Sequence, residues 1–193
     1  MVGRILQTEG CIAEGAAWLA LREPRFAQAL VQTGPLPLRR QAGGFTALLD
    51  AITGQQVSVA AANAIWARME AAGLTTVDGV LAASVEDMRA AGLSRQKASY
   101  AHALAGAGID FDALAHAPDD AVIATLTAVK GIGRWTAEIY AMFALGRADA
   151  FAAGDLALQL SAAALFDLDA RPTERALRDM AAAWAPWRGV AAR

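Results

Sequence analysis

A chain of 193 residues with 56% hydrophobic and 19% charged residues is long and apolar enough to bury a core, which excludes a disordered polymer. Its one cysteine, Cys11, excludes an internal disulfide and any four-cysteine metal or iron–sulfur site. The formal charge of −2 argues mildly against a nucleic-acid partner, and no apolar run approaches the roughly 18–20 residues that span a bilayer. The opening MVGRILQTEGCIAEG is interrupted by Glu9 and Glu14 and does not read as a signal peptide, so a soluble cytoplasmic monomer is expected. Alanine is abundant and clean β-branched alternation is missing, so the expected fold is all-α.

In chain order, Ile12 to Leu30 reads as helix with a break near Pro24. Thr33 to Arg40 carries two prolines and reads as a loop. Phe45, Leu48, Leu49 and Ile52 recur at helical spacing until Thr53-Gly54 interrupts. The helix resumes over Ala60 to Met69, and Gly73 caps it. SVEDMRAAG opens on a serine N-cap with acids in the first turn, and Pro118-Asp119-Asp120 starts a further helix carrying Ile123 and Leu126. His102 and His116 lack metal-ligand spacing and are expected on surface helices or loops.

Charge is unevenly spread. Residues 69–88 and 103–120 each hold four acids and no bases, whereas residues 89–102 hold Arg89, Arg95 and Lys97 and no acid. Other faces are therefore free to be locally positive, which permits nucleic-acid binding without demonstrating it. One internal echo stands out: AGLSRQKASYAHAL, from Ala91 to Leu104, is similar to KGIGRWTAEIYAMF, from Lys130 to Phe143. Each reads as helix, tight glycine turn, arginine, helix.

In the second copy Gly131 and Gly133 flank Ile132, which would plug the turn into the core. Glycine permits φ > 0 and lets a ligand approach the backbone. The helix beginning near Arg134 offers unpaired N–H groups and a positive dipole end, a ready site for a phosphate that needs little formal charge. Taken alone, the pattern is equally a plain turn between two helices. Asp155, farther along the chain, reads from the pattern as the N-cap of an apolar helix over Leu156 to Phe166.

Taken together, GIGRWTA, the aspartate that follows it, ITGQQVSVAAANAIWARM and WAPWRGVA resemble the helix–hairpin–helix DNA glycosylase superfamily, and within it the 3-methyladenine DNA glycosylase II branch. The resemblance runs from about Gly44 to the end of the chain, with the motifs in the family's order. It implies two helical lobes, one of about residues 44–120 and one of 121–193 with the N-terminal segment, and a DNA cleft between them. Larger members carry an additional N-terminal β-rich domain and a longer last helix; here only a short segment precedes the first matching helix, and the sequence stops at Arg193.

The resemblance implies roles residue by residue. Asp155 stands at the catalytic aspartate. Gly131, Gly133, Arg134 and Thr136 stand at the phosphate-binding hairpin. Gln55, Gln56 and Ser58 stand on a DNA-contacting loop, with Gln56 as the wedge that fills the gap left by an extruded base. Trp135 and Trp187 match aromatic positions of the base pocket, Tyr140 is a third candidate, and Ile139 stands where the family often has an aromatic. Trp18, Trp66 and Trp184 are read as core. Relatives with lyase activity have a lysine after GxGR, where this chain has Trp135, which implies a monofunctional glycosylase. Glu138 reads as a helix-surface partner of Arg134. No cofactor is expected, apart from a monovalent cation that the family would hold on the backbone carbonyls of Thr127, Val129 and Ile132. The implied substrate is double-stranded DNA with an alkylated purine of the 3-methyladenine or 7-methylguanine kind. Two readings from other classes stay open on the sequence: a non-catalytic helix–hairpin–helix DNA-binding protein, and an all-α interaction module with no DNA role.

Overall fold

The computed structural model describes residues 2–193, and every element in it is helical; the one extended pairing among these residues is an isolated antiparallel bridge between Ile5 and Arg147. The helices are α1 (Glu9–Arg22), α2 (Pro24–Thr33), α3 (Gly44–Gly54), α4 (Val59–Ala71), α5 (Val77–Ala82), α6 (Val85–Ala90), α7 (Arg95–Gly106), α8 (Phe111–His116), α9 (Asp119–Thr127), α10 (Arg134–Ile139), α11 (Leu156–Leu165), α12 (Glu174–Ala181) and α13 (Arg188–Ala191). A π-turn over Tyr140–Ala144 follows α10, and a 3₁₀ turn over Ala182–Trp184 follows α12. The chain divides into two compact units, a continuous one of residues 42–140 and a discontinuous one of residues 1–41 with 141–193.

The discontinuous unit begins where Thr8 accepts from the Cys11 N–H and opens α1. Glu23 ends α1 and caps α2, which has Pro24 at its first position, where a missing N–H costs nothing. The break expected near Pro24 is thus the junction of two helices that share Glu23. Ile12, Ala16 and Leu19 fall on one face of α1 and join a core with Leu6, Phe151, Leu177, Trp184 and Val190. Trp184 anchors that core: Phe26 and Phe151 meet its ring edge-on, at 5.2 and 5.8 Å, and Phe166 stacks on it at 5.6 Å. Each such aromatic pair adds about 0.5–1.5 kcal/mol beyond the burial itself.

In the continuous unit, α3 buries Phe45, Leu48, Leu49 and Ile52, the periodic set visible in the sequence. Helix α4 runs past the expected Met69 to Ala71 and ends beside Gly73, whose φ is +71. Ser84 and Asp87 cap α6 reciprocally: Ser84 Oγ accepts from the Asp87 N–H at 3.1 Å and Asp87 Oδ2 accepts from the Ser84 N–H at 2.8 Å.

The internal echo is one backbone path used twice. Gly92 and Gly131 occupy matching places with φ of +108° and +97°. Ser94 and Gly133, again matching, are the extended caps of α7 and α10. The copies differ at that cap. Ser94 Oγ accepts from the Lys97 N–H at 3.2 Å, whereas Gly133 offers no side chain to the mouth of α10.

The unit boundary falls after Tyr140, so residues 121–140 belong with residues 42–120. The bonds explain why. Gln55 Nε2 donates to the Gly131 carbonyl, and the Tyr140 hydroxyl accepts from the Gly44 N–H at 2.8 Å. These contacts tie the hairpin and the end of α10 to α3.

Candidate active site and glycine hairpin

Asp155 belongs to the discontinuous unit. It is half-buried at the mouth of α11, and Oδ1 accepts from the Leu158 N–H at 3.1 Å, so the capping role read from the pattern is real. The backbone around it is held from several directions. The Asp155 N–H donates to the Ala152 carbonyl at 2.9 Å, and the buried Gln159 donates Nε2 to the Ala153 carbonyl at 2.9 Å. Farther back, Arg188 grips Asp149 in a fork, with Nε to Oδ1 at 2.8 Å and Nη2 to Oδ2 at 2.7 Å. The Gly189 N–H donates to the Ala148 carbonyl at 2.7 Å. At Gly189 a Cβ would stand 2.8–2.9 Å from the carbonyls of Arg147, Ala148 and Ala150, so only glycine permits this approach. A carboxylate at a helix mouth, on a loop fixed this firmly, is a pre-placed negative charge. Leu156 and Leu160 of α11 are exposed at 55% and 54%, which leaves apolar surface beside it.

Trp187 is also in this unit, and it is far more enclosed than the resemblance alone would suggest. It is 6% exposed and part of the core. Its ring packs so closely on Gly15 of α1 that an added Cβ there would lie 2.6 Å from Trp187 Cε3 and 2.8 Å from Val190 Cγ2. The Arg4 guanidinium lies 5.8 Å from the ring centroid, so the indole is held by contacts on more than one side. Gly15→Ala is therefore expected to destabilise by about 1–3 kcal/mol through overpacking, read as a lower urea midpoint with an unchanged slope.

The other expected residues lie in the continuous unit. The hairpin between α9 and α10 is built on Gly131, whose missing Cβ makes room for the Tyr100 ring: a Cβ would sit 2.3 Å from Tyr100 Cγ. Ile132 is 4% exposed and plugs the turn, as expected. Gly133 is exposed with open space where a Cβ would be. Thr136 is buried at 8%, and Arg134 lies on the exposed side. Trp135 is 48% exposed, while Tyr140 is 6% exposed. Burial pushes the Tyr140 hydroxyl's pKa up, and the Gly44 N–H opposes that shift. Of the three aromatics expected to line a base pocket, only Trp135 is exposed.

Glu138 pairs with Arg134 as expected, Nε to Oε1 at 2.8 Å, but it is 3% exposed and so is not a surface residue. Gln55, Gln56, Gly131 and Gly133 line one polar cavity of about 400 Å³ with Ser94, Gln96, Lys97 and Tyr100. The Gln-Gln turn and the hairpin, well separated along the chain, are thus one surface. Lys97 and Tyr100 were not legible as part of it; the only signal was their place in the internal echo.

Residues 49–186 match the family model described as HhH-GPD superfamily base excision DNA repair protein. The chain belongs to that superfamily. Its relatives include DNA-3-methyladenine glycosylase 1 of Schizosaccharomyces pombe, 31% identical over 75% of this chain and 68% of that one. Among solved structures, the fold is similar to a DNA-3-methyladenine glycosidase from Bacillus halodurans, with TM-score 0.82 and 34% identity over 90% of this chain and 83% of that one. It is also similar to an S. pombe 3-methyladenine DNA glycosylase in complex with abasic DNA, with TM-score 0.80 and 27% identity over 93% of each chain. HhH-GPD membership and an all-helical fold are what the glycine hairpin and its aspartate implied. Among the described residues no helix is long and apolar enough to cross a membrane, and no group of three or more His, Cys, Asp or Glu could hold a metal ion.

Proposed function

We propose that this protein is a monofunctional DNA glycosylase that hydrolyses the N-glycosidic bond of alkylated purines, of the 3-methyladenine and 7-methylguanine kind, in double-stranded DNA. The observation that carries the reading is Asp155, a carboxylate fixed at the mouth of α11 in a member of a base excision repair family. Cleavage of the bond develops positive charge on the deoxyribose. Against that charge, at about 4 Å and an effective dielectric of about 20, one carboxylate is worth on the order of 4 kcal/mol. Asp155 also orients or deprotonates the attacking water. An N3- or N7-alkylated purine already carries positive charge as a leaving base, so no separate general acid is required.

The remaining residues serve binding. The hairpin of Gly131, Gly133, Arg134 and Thr136 receives a phosphate on backbone N–H groups at a helix mouth without a side-chain cap. Trp135 stacks on the extruded base, and its face attracts a cationic one more strongly. Gln56 fills the vacated space, where its amide can hydrogen-bond the orphaned partner. Trp135 in place of a lysine leaves no amine after GxGR for a Schiff base, so the product is an abasic site in an unbroken strand.

A monovalent cation suits the neutral carbonyls of Thr127, Val129 and Ile132, which run from the end of α9 into the hairpin. The Val129 carbonyl accepts one N–H, from Ile132 at 3.1 Å, and has a second lone pair to offer. The cation would add positive charge next to the phosphate.

A panel of duplexes carrying 3-methyladenine, 7-methylguanine, uracil or no lesion tests the function. Release of the alkylated purines with little from the other two is expected. Salt-dependent DNA binding without release of any base would make this a non-catalytic hairpin protein.

A further inference from the structure

Gln56 and Val57 are exposed, yet the turn they form is tied down from both ends by polar side chains. At the C-terminus of α3 the Thr53 carbonyl accepts from Lys97 Nζ at 2.8 Å. The last carbonyls of a helix lack intrahelical donors and carry partial negative charge, so an ammonium is a favourable partner. Just past the helix, Gln55 Nε2 donates to the Gly131 carbonyl at 3.0 Å. On the other side Ser58 Oγ accepts from the Ala61 N–H at 3.2 Å and opens α4. Between these anchors Gln56 has φ +56, a left-handed conformation that a non-glycine residue keeps only where its surroundings impose it. Lys97 makes its bond at a cost: partial burial of the amine lowers its pKa.

We propose that Lys97 and Gln55 are positioning residues that hold Gln56 in its strained conformation and couple it to the glycine hairpin, so that wedge and phosphate grip meet DNA as one rigid piece. This coupling rests on the wedge role of Gln56 proposed above. A wedge on a loose loop would have to be ordered at the moment of insertion, and a preorganised one avoids that cost. Neither residue acts on the glycosidic bond. Their loss therefore matters in proportion to the difficulty of extruding the base, which is least where the base is already unpaired.

The test is single-turnover base release from two duplexes that carry the same alkylated purine, one opposite its Watson–Crick partner and one opposite an abasic site. Lys97→Met and Gln55→Ala are expected to slow release from the paired duplex by about 10- to 100-fold, the equivalent of one charge-assisted or buried hydrogen bond. Release from the abasic-opposed duplex should slow by less than about 3-fold, about the lower limit for one lost hydrogen bond. Lys97→Arg, which keeps a charged donor, should recover most of the loss. Gln56→Ala should show the same selectivity, whereas Asp155→Asn should depress both duplexes alike. If Lys97→Met fails to fold, Gln55→Ala at its half-exposed position carries the comparison. Equal slowing of both duplexes by Gln55→Ala, or none, while Gln56→Ala stays selective, overturns the coupling and spares the wedge. Loss of selectivity in Gln56→Ala itself overturns the wedge, and the coupling falls with it.

Discussion

Asp155→Asn is expected to fold as the parent does and to lose about three powers of ten in base release, the rate equivalent of about 4 kcal/mol of charge stabilisation. The substitution separates the two roles of this side chain. As a cap, Asp155 accepts from the Leu158 N–H. An asparagine carbonyl oxygen accepts the same bond, and asparagine is as good an N-cap as aspartate. The melting temperature should therefore stay within a few degrees of the parent, since a change under about 1 kcal/mol moves a chain of this size by only about 2–4 °C. As a counter-charge to an oxocarbenium-like sugar the neutral amide offers little. DNA affinity should hold or rise slightly, because a negative group has been removed near a polyanion. Unchanged base release would assign the chemistry to another residue; a large loss of stability would show that the charge serves the fold.

Gly131→Ala is expected to cost about 3 kcal/mol in stability and to abolish tight DNA binding, while Gly133→Ala leaves stability within about 0.5 kcal/mol and still weakens binding. The two glycines differ in what surrounds them. Gly131 has φ +97, and a Cβ there would lie 2.3–2.6 Å from three atoms of Tyr100, so alanine meets both backbone strain and a clash. Its carbonyl also receives Gln55, so the damage reaches the Gln-Gln turn. Gly133 has φ −85 and nothing within 4 Å of a Cβ. That open space is where a phosphate would approach the mouth of α10, and a methyl group there obstructs only the ligand. Thermal melts of the pair with a salt titration of DNA affinity distinguish the cases. Equal stability of the two variants would contradict the account of Gly131, and undiminished binding by Gly133→Ala would contradict the account of the phosphate.

Much of this was legible in the sequence because it is local. Phe45, Leu48, Leu49 and Ile52 announce a helix by their spacing, and Ser84 announces its cap. Gly131 announces a turn that needs positive φ, and the internal echo announces a second copy at Gly92. Asp155 before an apolar run gives its cap in the same way. What escaped depends on side chains that meet across long separations. Lys97 reaches back to Thr53 and Arg188 back to Asp149, each from a distant part of the chain, and neither pair has a periodicity to reveal it. Trp187 matched a motif position, but motif position does not report burial; Gly15, near the opposite end of the chain, leaves the space that its indole fills. Glu138 showed its partner by i,i+4 spacing but not its 3% exposure, because burial is set by what packs over a helix and not by the helix. The unit boundary after Tyr140 follows from bonds to Gly44 and Gln55 that no composition shift marks.

The most direct measurement is chromatography of the products after the chain is incubated with a methylated duplex. Free 3-methyladenine, together with a strand that stays whole until alkali cleaves it at the abasic site, is the predicted result. A duplex bound in a salt-dependent manner but recovered with its alkylated purines still attached would contradict the assignment of this aspartate and this hairpin to base excision.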